Sequence, residues 1–173
     1  MSSTLAFQVG ELLNSKIGDS ENYSFEGSVE FDFVDSKSPI VGKLKLMKTD
    51  KGIYAEASDV EITVSLQCDR CLKAFPKEIK LSSTSRQYLL DTPEHIEDPN
   101  DIFVIDRQKN EIDIADMLRQ EIILHFPQVP VCYEGCKGIC AHCGVNRSEK
   151  NCKCADEQEP ENKPLSALKD LIK

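Results

Sequence analysis

Residues 53–67, IYAEASDVEITVSLQ, carry the pattern that decides the fold. Ile53, Ala55 and Ala57 alternate with Tyr54, Glu56 and Ser58. Val60, Ile62, Val64 and Leu66 then alternate with Glu61, Thr63, Ser65 and Gln67. A period of two places one set of side chains on a core and the other in water, as in an antiparallel sheet with one wet face. The pattern extends in both directions. Leu44 and Leu46 alternate with Lys43 and Lys45, TDKG (49–52) reads as a turn, and a further strand is expected around Glu78–Leu90. Val29, Phe31 and Phe33 alternate with Glu30 and Asp32 and predict another strand. In LAFQVGELLN (5–14), Leu5, Val9, Leu12 and Leu13 fit either a short helix or an edge segment.

Residues 91–111, DTPEHIEDPNDIFVIDRQKNE, are acidic and broken by two prolines; they read as a surface excursion in which only IFVI (102–105) suits a strand. A helix is predicted over about 113–126. Asp113 is its N-cap, Ile114, Met117, Leu118, Ile122 and Leu124 form an apolar stripe, and Pro127 stops it. PQVPV (127–131) is expected to be extended, because residues before proline disfavour the α region. ADEQEPENK (155–163) reads as an acidic linker and PLSALKDLI as a short amphipathic helix. The expected class is α+β: an antiparallel β-meander or partly closed sheet packed by one main helix, with a C-terminal cysteine-rich zinc-knuckle segment. The expected divisions are a β-rich core over 1–131, a metal-binding segment over 132–154, and the linker and helix over 155–173.

The chain has 173 residues, enough for one ordinary domain with a small appendage. Its 21 basic and 30 acidic residues give a net charge of −9. That balance disfavours non-specific nucleic-acid binding and suits a basic protein partner. No apolar run approaches a membrane span. MSSTLAFQVGELLNSK lacks the features of a secretory leader, so a cytoplasmic location with reduced thiols is expected.

The eight cysteines fall as Cys68-x2-Cys71 and then Cys132, Cys136, Cys140, Cys143, Cys152 and Cys154. Disulfides are disfavoured by the expected compartment and by a core that needs none. A redox pair would need Cys68-x2-Cys71 at a helix start, yet Pro76 and β-like spacing follow. Haem attachment requires histidine after the pair; Leu72 and Gly144 stand there. Metal remains. Cys140 and Cys143 can wrap one ion in a tight turn that Gly144 permits, and Cys152 and Cys154 offer two sulfurs on one side of an extended chain. These four group as one site; Cys68, Cys71, Cys132 and Cys136 are left for a second. One or two structural zinc ions are expected.

His142 lies between ligands and reads as exposed, His125 as a helix-end residue, and His95 as solvated. Asp113 and Asp116 read as helix-start carboxylates. No nucleophile–base pair, phosphate loop or open-site metal motif is present, so neither an enzyme nor a small-molecule substrate is expected.

VSLQCDRCLKAF (64–75), EIDIADMLRQEIILHFPQVPVC (111–132), CKGICAHCG (136–144) with Cys152-x-Cys154, and PLSALKDLIK (164–173) occur in an order that resembles the YceD family of bacteria, the large ribosomal RNA subunit accumulation proteins. The resemblance implies a role in synthesis, processing or stability of 23S ribosomal RNA. It also implies a link to a small zinc-type protein of the large subunit, whose gene tends to lie nearby. The cysteine set matches the versions that look metal-binding; the cysteine-rich tail is not essential to membership. Two classes of function stay open. One is an assembly factor that binds a basic large-subunit ribosomal protein or a pre-ribosomal particle. The other is a direct RNA-binding module using Lys137, Arg147, Lys150 and Lys153, with a redox- or zinc-responsive regulator as a third reading.

Overall fold

A computed structural model describes residues 5–92, 102–150 and 152–154. The chain divides into two compact units, one built from the chain up to Leu66 together with Ala74–Pro130, the other from Gln67–Lys73 and the chain from Val131 onward. The elements are β1 (Ala6–Gln8), α1 (Gly10–Leu13), β2 (Ser20–Gly27), β3 (Asp35–Ser36), β4 (Ile40–Lys48), β5 (Gly52–Gln67), β6 (Ala74–Leu89), β7 (Phe103–Val104), β8 (Glu111–Asp113) and α2 (Ala115–Leu124).

The main sheet runs β2-β4-β5-β6-β7, with β3 paired to β5 beyond the end of β4. Among the described residues the sheet is open, so the partial closure expected from the meander is not formed. The β6–β7 pair is parallel, so the sheet is not wholly antiparallel. β1 and β8 form a separate two-stranded antiparallel sheet.

The opening stretch is one strand, β5, and its change of phase has a structural cause. Asp59 takes a left-handed φ of 51°, and the pairing slips by one residue between Val41 opposite Glu61 and Lys43 opposite Ser58. This bulge returns the even-numbered residues to the face that the odd-numbered ones left. Ile53, Ala55 and Ala57 before it, and Val60, Ile62, Val64 and Leu66 after it, are all buried. Between β3 and β4 the chain stays beside β5 but breaks at Pro39, which has no N–H to give. There Ser38 Oγ accepts the Thr63 N–H at 2.9 Å.

The expected strand through Val29, Phe31 and Phe33 is not formed. The strand lies earlier, at β2, and residues 28–34 are irregular, with Phe33 65% exposed. In SENYSFEG the hydrophobic signal is thin, and β2 is made by its ladder to β4. Residues 5–14 contain both readings in succession, β1 and then the single turn α1. The helix is shorter than its stripe suggested. It begins at Ala115 with Ile114 as cap residue, Asp113 belongs to β8, and Leu124 is 74% exposed rather than in the core. The Asp113 carboxylate nevertheless accepts the Ala115 N–H at 2.8 Å, a capping contact one residue early. The C-terminal helix expected in PLSALKDLI lies outside the described residues, as does His95.

Ile114, Met117, Leu118 and Ile122 join the sheet residues and Leu5, Val9 and Leu12 in one apolar core, with α2 packed on β6. Tyr88 is fully buried there and donates through its hydroxyl to the Asp113 carbonyl at 2.9 Å. Burial, and then the Asp113 and Asp116 carboxylates, push its pKa far up, so it stays a donor at every working pH. Tyr88→Phe removes the hydroxyl's bond to the Asp113 carbonyl from the core. The expected cost is about 1–2 kcal/mol, read as a lower midpoint of thermal unfolding.

Candidate metal centre

The loop between β5 and β6 and the chain after α2 build the second unit, and its organising feature is a repeated turn. After Cys68-Asp69-Arg70-Cys71, the Leu72 N–H donates to the Cys68 carbonyl at 2.8 Å, and Leu72 has φ 59°. After Cys140-Ala141-His142-Cys143, the Gly144 N–H donates to the Cys140 carbonyl at 2.9 Å, and Gly144 has φ 70°. The two turns are the same knuckle. Both need a left-handed residue after the second cysteine; one has glycine and the other a leucine that bears the steric cost.

The second knuckle sits in a small hairpin. Ile139 and Asn146 bridge antiparallel, Cys140 N–H reaches the Val145 carbonyl at 2.8 Å, and Arg147 N–H reaches the Gly138 carbonyl at 2.8 Å. The first knuckle is tied to this hairpin by Arg70. Its carbonyl accepts the Ile139 N–H at 2.9 Å, and its guanidinium donates to the Cys136 carbonyl at 3.0 Å and the Glu134 carbonyl at 3.3 Å. Gly138 has φ 72°, and a methyl group there would stand 2.8 Å from the Arg70 carbonyl oxygen. Neither Arg70 nor Gly138 was marked by the sequence reading. The one available signal was the glycine and arginine placed inside the cysteine spacing.

The sulfurs converge in two groups of four, Cys68, Cys71, Cys132 and Cys136 in one and Cys140, Cys143, Cys152 and Cys154 in the other. Within each group all the sulfurs lie within 4.8 Å of one another. Cys68 and Cys136 are 3.9 Å apart and Cys71 and Cys132 3.7 Å, far beyond the disulfide length of about 2.05 Å. All eight cysteines are free. A tetrahedral ion with metal–sulfur bonds of about 2.3 Å has sulfur–sulfur edges of about 3.8 Å. The first group's two short separations match that edge, so the donor set fits a four-thiolate ion, and each group could hold one.

The electrostatics prepare some thiols. Burial pushes the Cys68 thiol up, but the backbone N–H groups of Cys132, Cys71 and Arg70 outweigh it and hold it down to about 6. Cys140 is also held down to about 6, chiefly by the Cys143 and His142 N–H groups. Cys132 is pushed up to about 12 by burial and its sulfur neighbours. Cys154 rises to about 12, first through its contact with Cys143. A metal ion lowers such raised thiols by taking the proton's place, so loading releases protons.

The four bases named from sequence are all exposed. The backbone N–H groups of Lys137, Arg147 and Lys150 close the hairpin, the first on Ser148 Oγ at 2.9 Å and the last on the Asn146 carbonyl at 2.9 Å. Lys153 stands between Cys152 and Cys154 in the chain. Glu149 is taken up by Lys73 at 3.5 Å.

Among the described residues, no helix is long and apolar enough to cross a membrane. No solved structure matches the chain. A similar protein is the large ribosomal RNA subunit accumulation protein YCED homolog 1, chloroplastic, of Arabidopsis thaliana, 32% identical over 63 residues. That alignment covers 36% of this chain and 20% of the relative's length. Residues 57–172 match the family model described as large ribosomal RNA subunit accumulation protein YceD. These residues include every cysteine, α2 and most of β5, and they are more than half of the chain. The chain belongs to the YceD family of large ribosomal RNA subunit accumulation proteins.

Proposed function

We propose that this protein is a non-enzymatic, cytoplasmic factor that supports synthesis, processing or stability of 23S ribosomal RNA during large-subunit biogenesis, acting by binding a basic ribosomal protein. Family membership carries the ribosomal part of this reading. Charge carries the choice of partner. The chain is −9 overall, and residues 91–116 hold nine acids against Arg107 and Lys109. A field of that sign repels phosphate and attracts Lys- and Arg-rich proteins.

Each cysteine group holds a zinc ion in this reading, with a structural role, since four thiolates leave no open position for substrate or water. Loading also bears on the RNA alternative. The second unit has six basic and three acidic side chains in residues 67–73 and 131–154. A divalent ion held by four thiolates retains two negative charges, so two such centres offset the basic excess.

The test is binding of the purified chain to individual basic large-subunit proteins and to protein-free 23S fragments at about 150 mM salt, where charges beyond about 8 Å are screened. Binding to at least one protein, resistant to ribonuclease, is expected. Tight binding to bare 23S RNA, abolished by Lys150→Glu with Lys153→Glu, would replace this reading with the RNA-binding one.

The paired knuckles make a second expectation. Leu72→Gly relieves a left-handed side chain, whose penalty is roughly 1–2 kcal/mol, at the expense of added backbone freedom. It should leave the first centre's zinc affinity unchanged or up to about fivefold tighter. Gly144→Ala, with nothing within 4 Å of its new methyl, should weaken the second centre by about fivefold through backbone strain alone. Competition with a chromophoric chelator reads both.

A further inference from the structure

The segment Glu30-Phe31-Asp32-Phe33-Val34 mixes acids with apolar side chains but forms no strand before β3 begins at Asp35. It is nonetheless held. Val29 is buried, Val34 packs on the core, and Ser36 Oγ donates to the Val29 carbonyl at 2.9 Å. Phe31 and Phe33 both lean on Phe126, with ring centroids 5.9 and 6.1 Å away, the second edge to face. Phe33 is left 65% exposed. Leu124 and Val129, on either side of Phe126 in the chain, are 74% and 63% exposed. An anchored backbone that turns several large apolar groups outward is an unusual use of surface in a single chain.

The charges around these groups indicate what covers them. Glu30, Asp32 and Asp35 are exposed, and none of the ion pairs among the described residues involves them. Glu30 and Asp32 line a cleft of about 280 Å³ with Asp116 and Arg119. Arg119 is already held by Asp116 at 3.0 Å. The cleft therefore offers two unpaired carboxylates in the segment that carries the exposed ring of Phe33. A cationic head fits the cleft, and the ring offers its face to a cation or to an apolar stem.

We infer that Phe33, Phe126 and the carboxylates of Glu30, Asp32 and Asp35 form the docking surface for a Lys/Arg-rich segment of a protein partner. This rests on the basic-protein reading above and moves its primary contact from the acids of residues 91–113 to the 30–35 segment. A second copy of this chain is a poorer occupant, because the same acids would meet each other across a twofold interface.

The experiment measures affinity of the full chain for the basic large-subunit proteins that bind the wild type, at low and high salt. Phe33→Ser should weaken binding at least tenfold at both salts. Glu30→Gln with Asp32→Asn should weaken it about tenfold at low salt and flatten the salt dependence. The carboxylate changes should leave the unfolding midpoint unchanged, and Phe33→Ser should lower it only slightly, through its one edge contact with Phe126. The control is Asp91→Asn with Asp106→Asn. Unchanged affinity in the Phe33 and Glu30/Asp32 variants, with loss in the control, would overturn this surface and leave the basic-protein reading standing. A wild type that binds no basic protein would remove the reading itself. A dimer in sedimentation that Phe33→Ser converts to monomer would assign the surface to a second copy and overturn the inference.

Discussion

With each cysteine group loaded as proposed, Cys68→Ser is expected to remove one of two zinc ions and open the second unit to proteases. Its sulfur group joins parts of the chain far apart, since Cys68 and Cys136 are 68 residues apart and Cys71 and Cys132 are 61. Closing so long a loop has an entropic cost that the ion must offset, and structural zinc sites in small domains supply about 10–16 kcal/mol in apparent binding free energy. Trypsin should then cut at Lys137, Arg147, Lys150 or Lys153, all exposed. Cys140→Ser should cost the other ion, with a more local effect, because its group spans only residues 140–154. The two losses should not be independent. The Arg70 carbonyl holds the Ile139 N–H beside Cys140, so loss of the first centre should weaken the second by about fivefold, the worth of one hydrogen bond of about 1 kcal/mol. Elemental analysis and chelator competition measure both effects. Throughout, the far-ultraviolet β-signal should persist, because the first unit has its own core. Two ions retained in Cys68→Ser, or loss of all β-structure on chelation, would show the centres to be wrongly placed.

Gly52→Ala will have the largest effect on the β-rich unit. Gly52 opens β5 with φ 151°, and an added methyl would lie 2.1 Å from the Tyr88 carbonyl oxygen, 3.1 Å from its carbon and 3.2 Å from the Leu90 nitrogen. All three are backbone atoms in or just after β6, so no side chain can swing away. Relief requires the strands to part where Leu90 N–H donates to the Lys51 carbonyl at 3.1 Å, beside the buried Tyr88. Combining overpacking with backbone strain, the expected cost is at least about 3 kcal/mol. Denaturant unfolding followed at the β-signal checks this. A change under about 1 kcal/mol would mean that the two strands sit farther apart than described.

Much of the architecture was legible locally, for a local reason. Alternation with period two and spacing with period 3.6 are properties of neighbouring residues, so β4, β5, β6 and α2 could be read where they occur. The cysteine roster likewise named the residues whose sulfurs meet, because few side chains hold a metal and eight thiols lie in one short chain. Partnership is not a local property. The run through Val29, Phe31 and Phe33 has a strand's pattern, yet β2 is the segment that pairs with β4, and the ring of Phe126 is what Phe31 and Phe33 meet instead. The phase change in β5 became a bulge only when the pairing register with β4 existed. The meeting of Cys68 and Cys71 with Cys132 and Cys136, across more than sixty residues, depends on where the β5–β6 turn and the chain after α2 come together. Composition and short-range spacing were enough for the element types, the acidic charge and the division of the thiols into two groups of four. Which strands pair and which aromatic ring faces water came from the folded chain, because those depend on loop closure and packing between residues that the chain keeps far apart.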